Sequence, residues 1–408
     1  MRTSPFVVST VLVAGMIALG ACRDISPTAV PSKALAPPPS FDRKEDKSAI
    51  GIVDLGVLGN GTFSFAFYIN NRGQIAGNGS QVGPLFWDDG NVTELSVPAG
   101  FGWSEALGMD DRGRVAGIVS PTGSNVNARG AIWANGAVTV LSPLLGDDWS
   151  YAWRINARGQ VAGISGTNAK PLLRHGVLWD GGTLTDLGVL PGGTFSVAEG
   201  LNDAGDVVGR ADGPGFAGHA VLWKTSNRRD AEDGGDEEKS SSPGAPWKGT
   251  LTDLGTLPGG TFSQAWSINA KGQIAGYSSG TGFSAHAVLW DRGVISDLGT
   301  LPCGTPPCNF AGSAAEGINV HGQIAGYSFY YAGAQTSANF VRHAVLWDHG
   351  TITDLGVLPG ARFSFANSIN DDGQIVGASG KSGPVSLGGF EHAVLWCTSG
   401  ECKSRRDE

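Results

Sequence analysis

The 408-residue chain is poor in charge: only 16% of its residues are Asp, Glu, Lys or Arg. The balance is acidic, at −9, and no stretch gathers Lys and Arg into a stripe. That excludes a nucleic-acid partner, because phosphate binding needs clustered cations. No HExxH, phosphate-binding loop or Cys/His cluster occurs, so no familiar metal or phosphate site is written locally and no cofactor is expected. Paired carboxylates for acid–base work do not recur at a telling spacing. Long apolar runs are absent too, save one at the start. What the chain has in excess is glycine, 64 residues, roughly twice the usual share. That suits many tight turns joining short apolar strands.

The one long apolar run, Phe6 to Leu19, follows Arg2 and is interrupted by Ser9, Thr10 and Gly15. It is short for a membrane span and fits the core of a signal peptide. It ends in Leu19-Gly20-Ala21-Cys22, which resembles the bacterial lipobox. The resemblance implies a signal peptide over 1–21, lipidation of Cys22 and attachment to a membrane. Arg23 after the cysteine would direct it to an outer membrane in a Gram-negative host. Residues 22–50, with "SPTAVPSKALAPPPS" and "DRKEDKS", have no apolar period and read as a disordered tether. It would span roughly 30 Å.

The other cysteines form two close pairs, Cys303 with Cys308 and Cys397 with Cys402. In an exported protein each pair suits a local disulfide, worth roughly 2 kcal/mol if unstrained. Zinc is the weaker reading, since companion CxxC spacings are missing.

One unit repeats through 51–396: D-L-G-x-L-P-G-G-T-F-S-x-A-x-x-I-N-x-x-G-Q-I-A-G, a variable stretch, then H-A-V-L-W. Its Asn recurs at 70, 156, 202, 269, 319 and 370, with Asp110 in the same slot once. Its Trp recurs at 87, 133, 179, 223, 290, 347 and 396, about 44–50 residues apart where nothing is inserted. Between Trp223 and Trp290 the polar stretch 225–249 reads as a disordered insertion. Each unit holds four strand-length runs bounded by turn residues. Asn-x-x-Gly has the preferences of a type I turn closed by a left-handed residue, and Pro-Gly those of a type II turn. "NAKG" at 269–272 is therefore a hairpin corner rather than a ligand loop. "NDDG" at 370–373 lacks the spaced oxygens of a calcium loop.

Four antiparallel strands about every 46 residues is the pattern of a propeller blade. The units are out of phase with the chain: "GIVDLGVL" at 51–58 precedes any blade, and the last blade ends at Trp396 without a D-L-G strand. The expected fold is all-β, a seven-bladed β-propeller of four-stranded antiparallel blades, its ring closed by strand 51–58. Residues 397–408 form a tail with a Cys loop.

The repeats "HAVLW" at 219–223, 286–290, 343–347 and 392–396, and "HGVLW" at 175–179, resemble the HAF family of extracellular repeats, as do the D-L-G-x-L-P-G-G and I-N-x-x-G-Q elements. "GPLFW" at 83–87 and "RGAIW" at 129–133 lack the His. The resemblance covers nearly all of 51–396. It implies export and a repeat fold but no reaction. "WD" pairs resemble WD40 repeats, but a His four residues before the Trp is wrong for that family.

Two sets of residues could carry chemistry. His175, His219, His286, His343 and His392 occupy one slot per blade, too dispersed for a metal and suited to anchoring a turn. In the first strand of each unit, S-x-A-x-x-I-N, the first two positions marked x vary. They hold Phe65 and Phe67, Glu105 and Leu107, Tyr151 and Trp153, Val197 and Glu199, Gln264 and Trp266, Ala314 and Glu316, Phe365 and Asn367. They either pack between blades or line a mouth where aromatic and polar groups hold a sugar or peptide. The residues expected to touch a ligand are Phe67, Tyr151, Trp153, Glu199, Trp266, Glu316 and Phe365. The function expected is a monomeric, lipid-anchored binding or scaffold module of the bacterial cell envelope. The rivals are a propeller enzyme that hydrolyses or eliminates polysaccharide, and a purely structural envelope repeat.

Overall fold

A computed structural model describes residues 50–58, 61–80, 83–121, 127–169, 173–225, 245–302, 308–332, 340–381 and 391–398. The signal segment, the tether, Cys22, Cys303 and Cys402 lie outside them, and of Cys308 only the backbone is described. Neither expected disulfide therefore falls wholly within the described residues.

The chain is an all-β propeller of four-stranded antiparallel blades. The first sheet holds Ser64–Ile69, Ile75–Gly79, Pro84–Asp88 and Asn91–Glu94 in sequence order, and the second runs in the same way from Trp103–Met109 to Ala137–Leu141. The third starts at Trp149–Ile155, the fourth at Ser196–Leu201 and the fifth at Ser263–Ile268. In the third, Ala245–Pro246, from the end of the insertion at 225–249, adds a short parallel strand beside Thr183–Asp186. Trp247 then packs on the core of Leu187, Leu190 and Trp223.

The remaining eight strands form one sheet, so five blades stand separate rather than the seven expected. The cause is local. A single parallel pairing, Arg342 with Phe363, joins the four strands from Cys308–Ile318 to Thr351–Asp354 to the three that follow and Gly51–Gly56. In the second set Glu391–Cys397 pairs antiparallel with Gly51–Gly56, in the register Ile52 to Trp396 and Val53 to Leu395.

The repeated motif builds the corners as its turn chemistry requires. Asn269 Oδ1 accepts the N–H of Lys271 and of Gln273 at 3.0 Å, and Gly272 closes the turn at φ +78°. Asn269 Nδ2 donates to Gln273 Oε1 and to the carbonyl of Asn319 in the next unit. The same reach links Asn319 to Asn370, Asn370 to Asn70, Asn70 to Asp110, Asn156 to Asn202, and Asn202 to Asn269. Asp110 has no amide to donate, and there Arg114, in the Gln slot, donates to the carbonyl of Asn156 while holding the Asp110 carboxylate. These amides form a continuous belt that ties corner to corner.

The glycine ending each "QIAG" or its variant is set by close approach. A Cβ on Gly276 would lie 2.0 Å from the Gln264 carbonyl oxygen, and one on Gly77 would lie 1.9 Å from that of Phe65. Opposite each such glycine the first strand carries a β-bulge, between Ala66 and Tyr68, Ala106 and Gly108, Ala152 and Arg154, Ala198 and Gly200, Ala265 and Ser267, Ala315 and Gly317, and Ala366 and Ser368. The bulge inserts one residue and swings its side chain out of the ladder.

Between sheets the core is a stack of Trp, Ala, Val and Ile. Trp223 and Trp396 are fully buried, and each cluster mixes residues of neighbouring units, such as Trp87 and Leu85 with Val376 and Ala393. Indole N–H groups tie this layer to the preceding unit, Trp223 to the Leu187 carbonyl and Trp290 to that of Leu254. A first-strand serine adds a second tie. Ser263 Oγ accepts the Ala220 N–H at 2.8 Å and donates to the Gly255 carbonyl at 2.6 Å.

Candidate binding site in the axial space

The innermost strand of each sheet is its first, and successive first strands touch one another. Their variable residues therefore surround the axis, and the structure divides them into two sets. At the first position Phe65, Tyr151, Val197, Gln264 and Ala314 are buried and pack between units; Tyr151 lies among Leu107, Trp149, Phe195 and Val197. The second position is the bulged residue in every case: Phe67, Leu107, Trp153, Glu199, Trp266, Glu316 and Asn367. Phe67, Trp153, Glu316 and Asn367 keep partial exposure, while Leu107, Glu199 and Trp266 are buried.

The residues singled out from the sequence fall on both sets. Trp153 meets Tyr151 edge-on at 6.2 Å, and its indole N–H has no partner among the described residues. Trp266 lies 4.7 Å from the ring of Tyr277. Glu199 accepts from Gln264 Nε2 with both oxygens, at 2.7 and 2.6 Å. Phe365 stacks near Phe65 at 6.2 Å and under Arg342 at 4.5 Å. Phe67 sits 6.2 Å from Phe65, on the first sheet.

Around them stand charged groups, of which the repeat marked Glu105, Glu199 and Glu316 but not Glu391 or the arginines. Burial pushes the Glu105 and Glu316 carboxyls up to about 8, and those of Glu199 and Glu391 up to about 7. At Glu316 the field of Glu199 adds to that rise, while Arg154 and Arg342 oppose it. At Glu199 the opposing groups are Arg210, the Gln264 hydrogen bond, Arg154 and Arg174. Glu105 Oε2 is buried without a partner among the described residues. Arg154 donates to the carbonyls of Leu107 and Trp153 and lies over the ring of Tyr68 at 5.4 Å. Near pH 7 Glu105 and Glu316 are thus held largely neutral and Glu199 and Glu391 about half so, beside permanent cations in a space walled by aromatic rings. Such groups can donate to and accept from a polar ligand.

A sequence signal did exist for Arg154. The residue after the bulge is Gly or Ser in Gly108, Gly200, Ser267, Gly317 and Ser368, so Tyr68 and Arg154 are the two large exceptions.

The histidines are not part of this site. His175 Nδ1 lies 2.7 Å from Asp186 Oδ2, and Asp186 Oδ1 accepts the Gly188 N–H. His219, His286 and His343 meet Asp253, Asp297 and Asp354 in the same way, and His392 meets Asp54 of the opening strand. Each anchors a D-L-G corner. Among the described residues no three His, Cys, Asp or Glu side chains group as metal ligands, and no helix is long and apolar enough to cross a membrane.

No family model matches the chain, and no curated protein does either. Solved structures resemble it at low identity. The β-propeller domain of the Trilobed protease from Pyrococcus furiosus matches over 83% of this chain and 94% of its own, at 9% identity and TM-score 0.47. A Mycobacterium tuberculosis puromycin-hydrolyzing peptidase matches over 79% of this chain and 50% of its own, at 12% identity and TM-score 0.47. A streptogramin B lyase matches over 86% and 99%, at 9% identity and TM-score 0.38. At these values no activity or ligand is carried across.

Proposed function

We propose that the protein is an exported, lipid-anchored binding module of the bacterial cell envelope, acting as a monomer, whose ligand enters the axial space of a seven-bladed ring. The anchor is Cys22 after the signal segment, and the local disulfides Cys303–Cys308 and Cys397–Cys402 fit that compartment. In this reading the eight-stranded sheet is two blades bridged at Arg342 and Phe363, and strand 51–58 completes the last blade. Three ties support it: the pairing of Gly51–Gly56 with Glu391–Cys397, the bond of His392 to Asp54, and that of the Ala393 N–H to Ser64 Oγ.

The observation that carries the binding role is the bulge. In all seven first strands it displaces one residue from the ladder, and the seven differ in chemistry (Phe67, Leu107, Trp153, Glu199, Trp266, Glu316 and Asn367), where a purely structural repeat would keep a filler. Unpartnered polar atoms of Glu105 and Trp153 accompany it. The test uses the mature chain on glycan and peptide arrays, beside Trp153→Ala and Glu316→Gln variants shown by melting to be folded. A ligand whose affinity falls at least about ten-fold in both variants supports the role. Binding that neither change alters refutes it.

The raised carboxyls give a second reading, a hydrolase or lyase acting on polysaccharide, because an acid poised near neutrality suits proton transfer. Turnover lost in Glu105→Gln or Glu316→Gln would establish it.

A further inference from the structure

A cleft of about 240 Å³ lies away from the axis, in the unit that runs from Cys308–Ile318 to Thr351–Asp354. Leu301, Pro302, Tyr330, Val341, His343 and Asp354 line it, over Ser328. Solvent reaches it: Pro302 and Asp354 are exposed, and Leu301, Tyr330, Val341 and His343 are part-exposed. The hairpin of Ile324–Ala332 and Phe340–Asp348 builds one wall. Its register sets Ser328 opposite His343 and Tyr330 opposite Val341, so these four side chains share a face. The pairing runs on unbroken to Tyr331 and Phe340, whereas two counterparts shift register just past their histidines, at Gly213 and Gly280. In the other four units that carry the histidine, the place of Tyr330 holds Thr167, Gly213, Gly280 or Lys381. An aromatic side chain walls the histidine slot in this unit alone.

The polar groups of the cleft fall into used and free ones. Ser328 Oγ accepts the Leu301 N–H at 2.9 Å and donates to the Gly312 carbonyl, so it is satisfied. His343 Nδ1 lies 2.7 Å from Asp354 Oδ2, and Asp354 Oδ1 accepts the Gly356 N–H. Donation from Nδ1 fixes the proton there and leaves Nε2, on the other side of the ring, as an acceptor. That nitrogen has no partner among the described residues. The Asp354 side chain is 43% exposed and that of His343 26%, and among the described residues no Arg or Lys pairs with the carboxylate. Each carboxylate oxygen keeps a lone pair to offer.

The cleft thus presents two acceptors on opposite sides of an imidazole, the Tyr330 hydroxyl, and an apolar lining. Asp354 repels an anion. A single ammonium group satisfies one acceptor at a time, because the carboxylate and Nε2 face apart. A ring carrying several hydroxyls spaces its donors widely enough for both, and hydroxyl bonds to a carboxylate are charge-assisted. The volume is below the roughly 300–1,000 Å³ of sites for drug-sized ligands, and suits one ring.

We propose that this cleft is a second binding site, which takes one neutral, hydroxyl-rich ring of the pyranose type, with hydroxyls donating to His343 Nε2 and to the Asp354 carboxylate and the sugar against Tyr330. The site is separate from the axial space and does not depend on the role assigned there.

The test titrates the mature chain with the methyl glycosides of glucose, galactose and mannose, with their matching uronides, and with cyclohexylamine, followed by calorimetry and saturation-transfer NMR. At least one neutral glycoside should bind, on the order of 1 mM for a ligand of this size, and its uronide at least about ten-fold more weakly. Asp354→Asn should weaken the glycoside by about ten-fold and Tyr330→Leu by about two- to ten-fold. Asp297→Asn, which alters the same pair with His286 where Gly280 replaces the tyrosine, should change nothing. Melting curves check that each variant is folded, and Tyr330→Leu, on a part-exposed position, keeps the test open if Asp354→Asn disturbs its corner. Binding of cyclohexylamine alone, equal binding of glycoside and uronide, or no binding at all overturns the proposal. So does a loss in Asp297→Asn equal to that in Asp354→Asn, which would make the pair structural. A glycoside that ignores both cleft variants but is lost in Trp153→Ala sits in the axial space; that result sinks this site and leaves the axial role standing.

Discussion

Ser104 offers a clean test of how the sheets are tied. In six units the first-strand serine accepts an N–H from the third strand of the unit before it: Ser64 from Ala393, Ser150 from Gly130, Ser196 from Gly176, Ser263 from Ala220, Ser313 from Ala287, and Ser364 from Ala344. The residue that should donate to Ser104 is Pro84, three before Trp87, and proline has no N–H. Ser104 Oγ is accordingly buried and without a partner among the described residues. Replacing Ser263 by Ala strands the Ala220 N–H and the Gly255 carbonyl, so it should cost about 1–3 kcal/mol. Replacing Ser104 by Ala strands nothing and should cost about 0 kcal/mol or stabilise slightly. Pro84→Ala restores a donor; in that background Ser104→Ala should become unfavourable by about 0.5–1.5 kcal/mol, the coupling of one hydrogen bond. The assay is urea unfolding of the four members of the cycle beside Ser263→Ala. Equal costs for Ser104→Ala and Ser263→Ala, or no coupling to position 84, would refute the reasoning.

Two further outcomes follow from the same geometry. Gly276→Ala places a methyl 2.0 Å from a backbone oxygen that cannot move without breaking the bulge; a loss above about 3 kcal/mol is expected in unfolding, whereas Gly293→Ala, with open space around it, should cost only the strain of its positive φ. Glu105 and Glu316 have carboxyls raised to about 8 in the folded chain, so the folded state holds protons that the unfolded chain releases near its ordinary carboxylate value. Their contribution is full below that value and is lost as pH rises toward about 8; stability measured from pH 4 to 8 should decline, and Glu105→Gln with Glu316→Gln should flatten the slope. A slope unchanged by both substitutions would place these carboxyls in water.

Much of the architecture was legible because turns repeat. Asn269 and Gly272 announce a corner wherever they recur, and the Trp of each unit marks the third strand. The joining of the last two units into one sheet was not legible, since it hinges on one backbone pairing at Arg342 and Phe363 that no side-chain pattern specifies. The candidate site was half legible. Variation in the first strand flagged Trp153, Glu199 and Glu316, but the alternation rule places Tyr151 and Trp153 on one face, and only the bulge separates them. The arginines were missed because Arg174, Arg210 and Arg342 lie on second and third strands, far in sequence from Phe195, Phe262 and Phe365, which hold them.

The most direct test of the whole account is deletion of residues 51–58 from the mature chain. Strand Glu391–Cys397 then loses the partner strand beyond it, His392 loses Asp54, and Leu55 and Leu58 leave the core around Trp87. Differential scanning calorimetry with size-exclusion chromatography should show a much lower, broadened transition and self-association through the bared edge. A single sharp transition at the unaltered temperature, from a monomer, would contradict a ring closed by its opening strand.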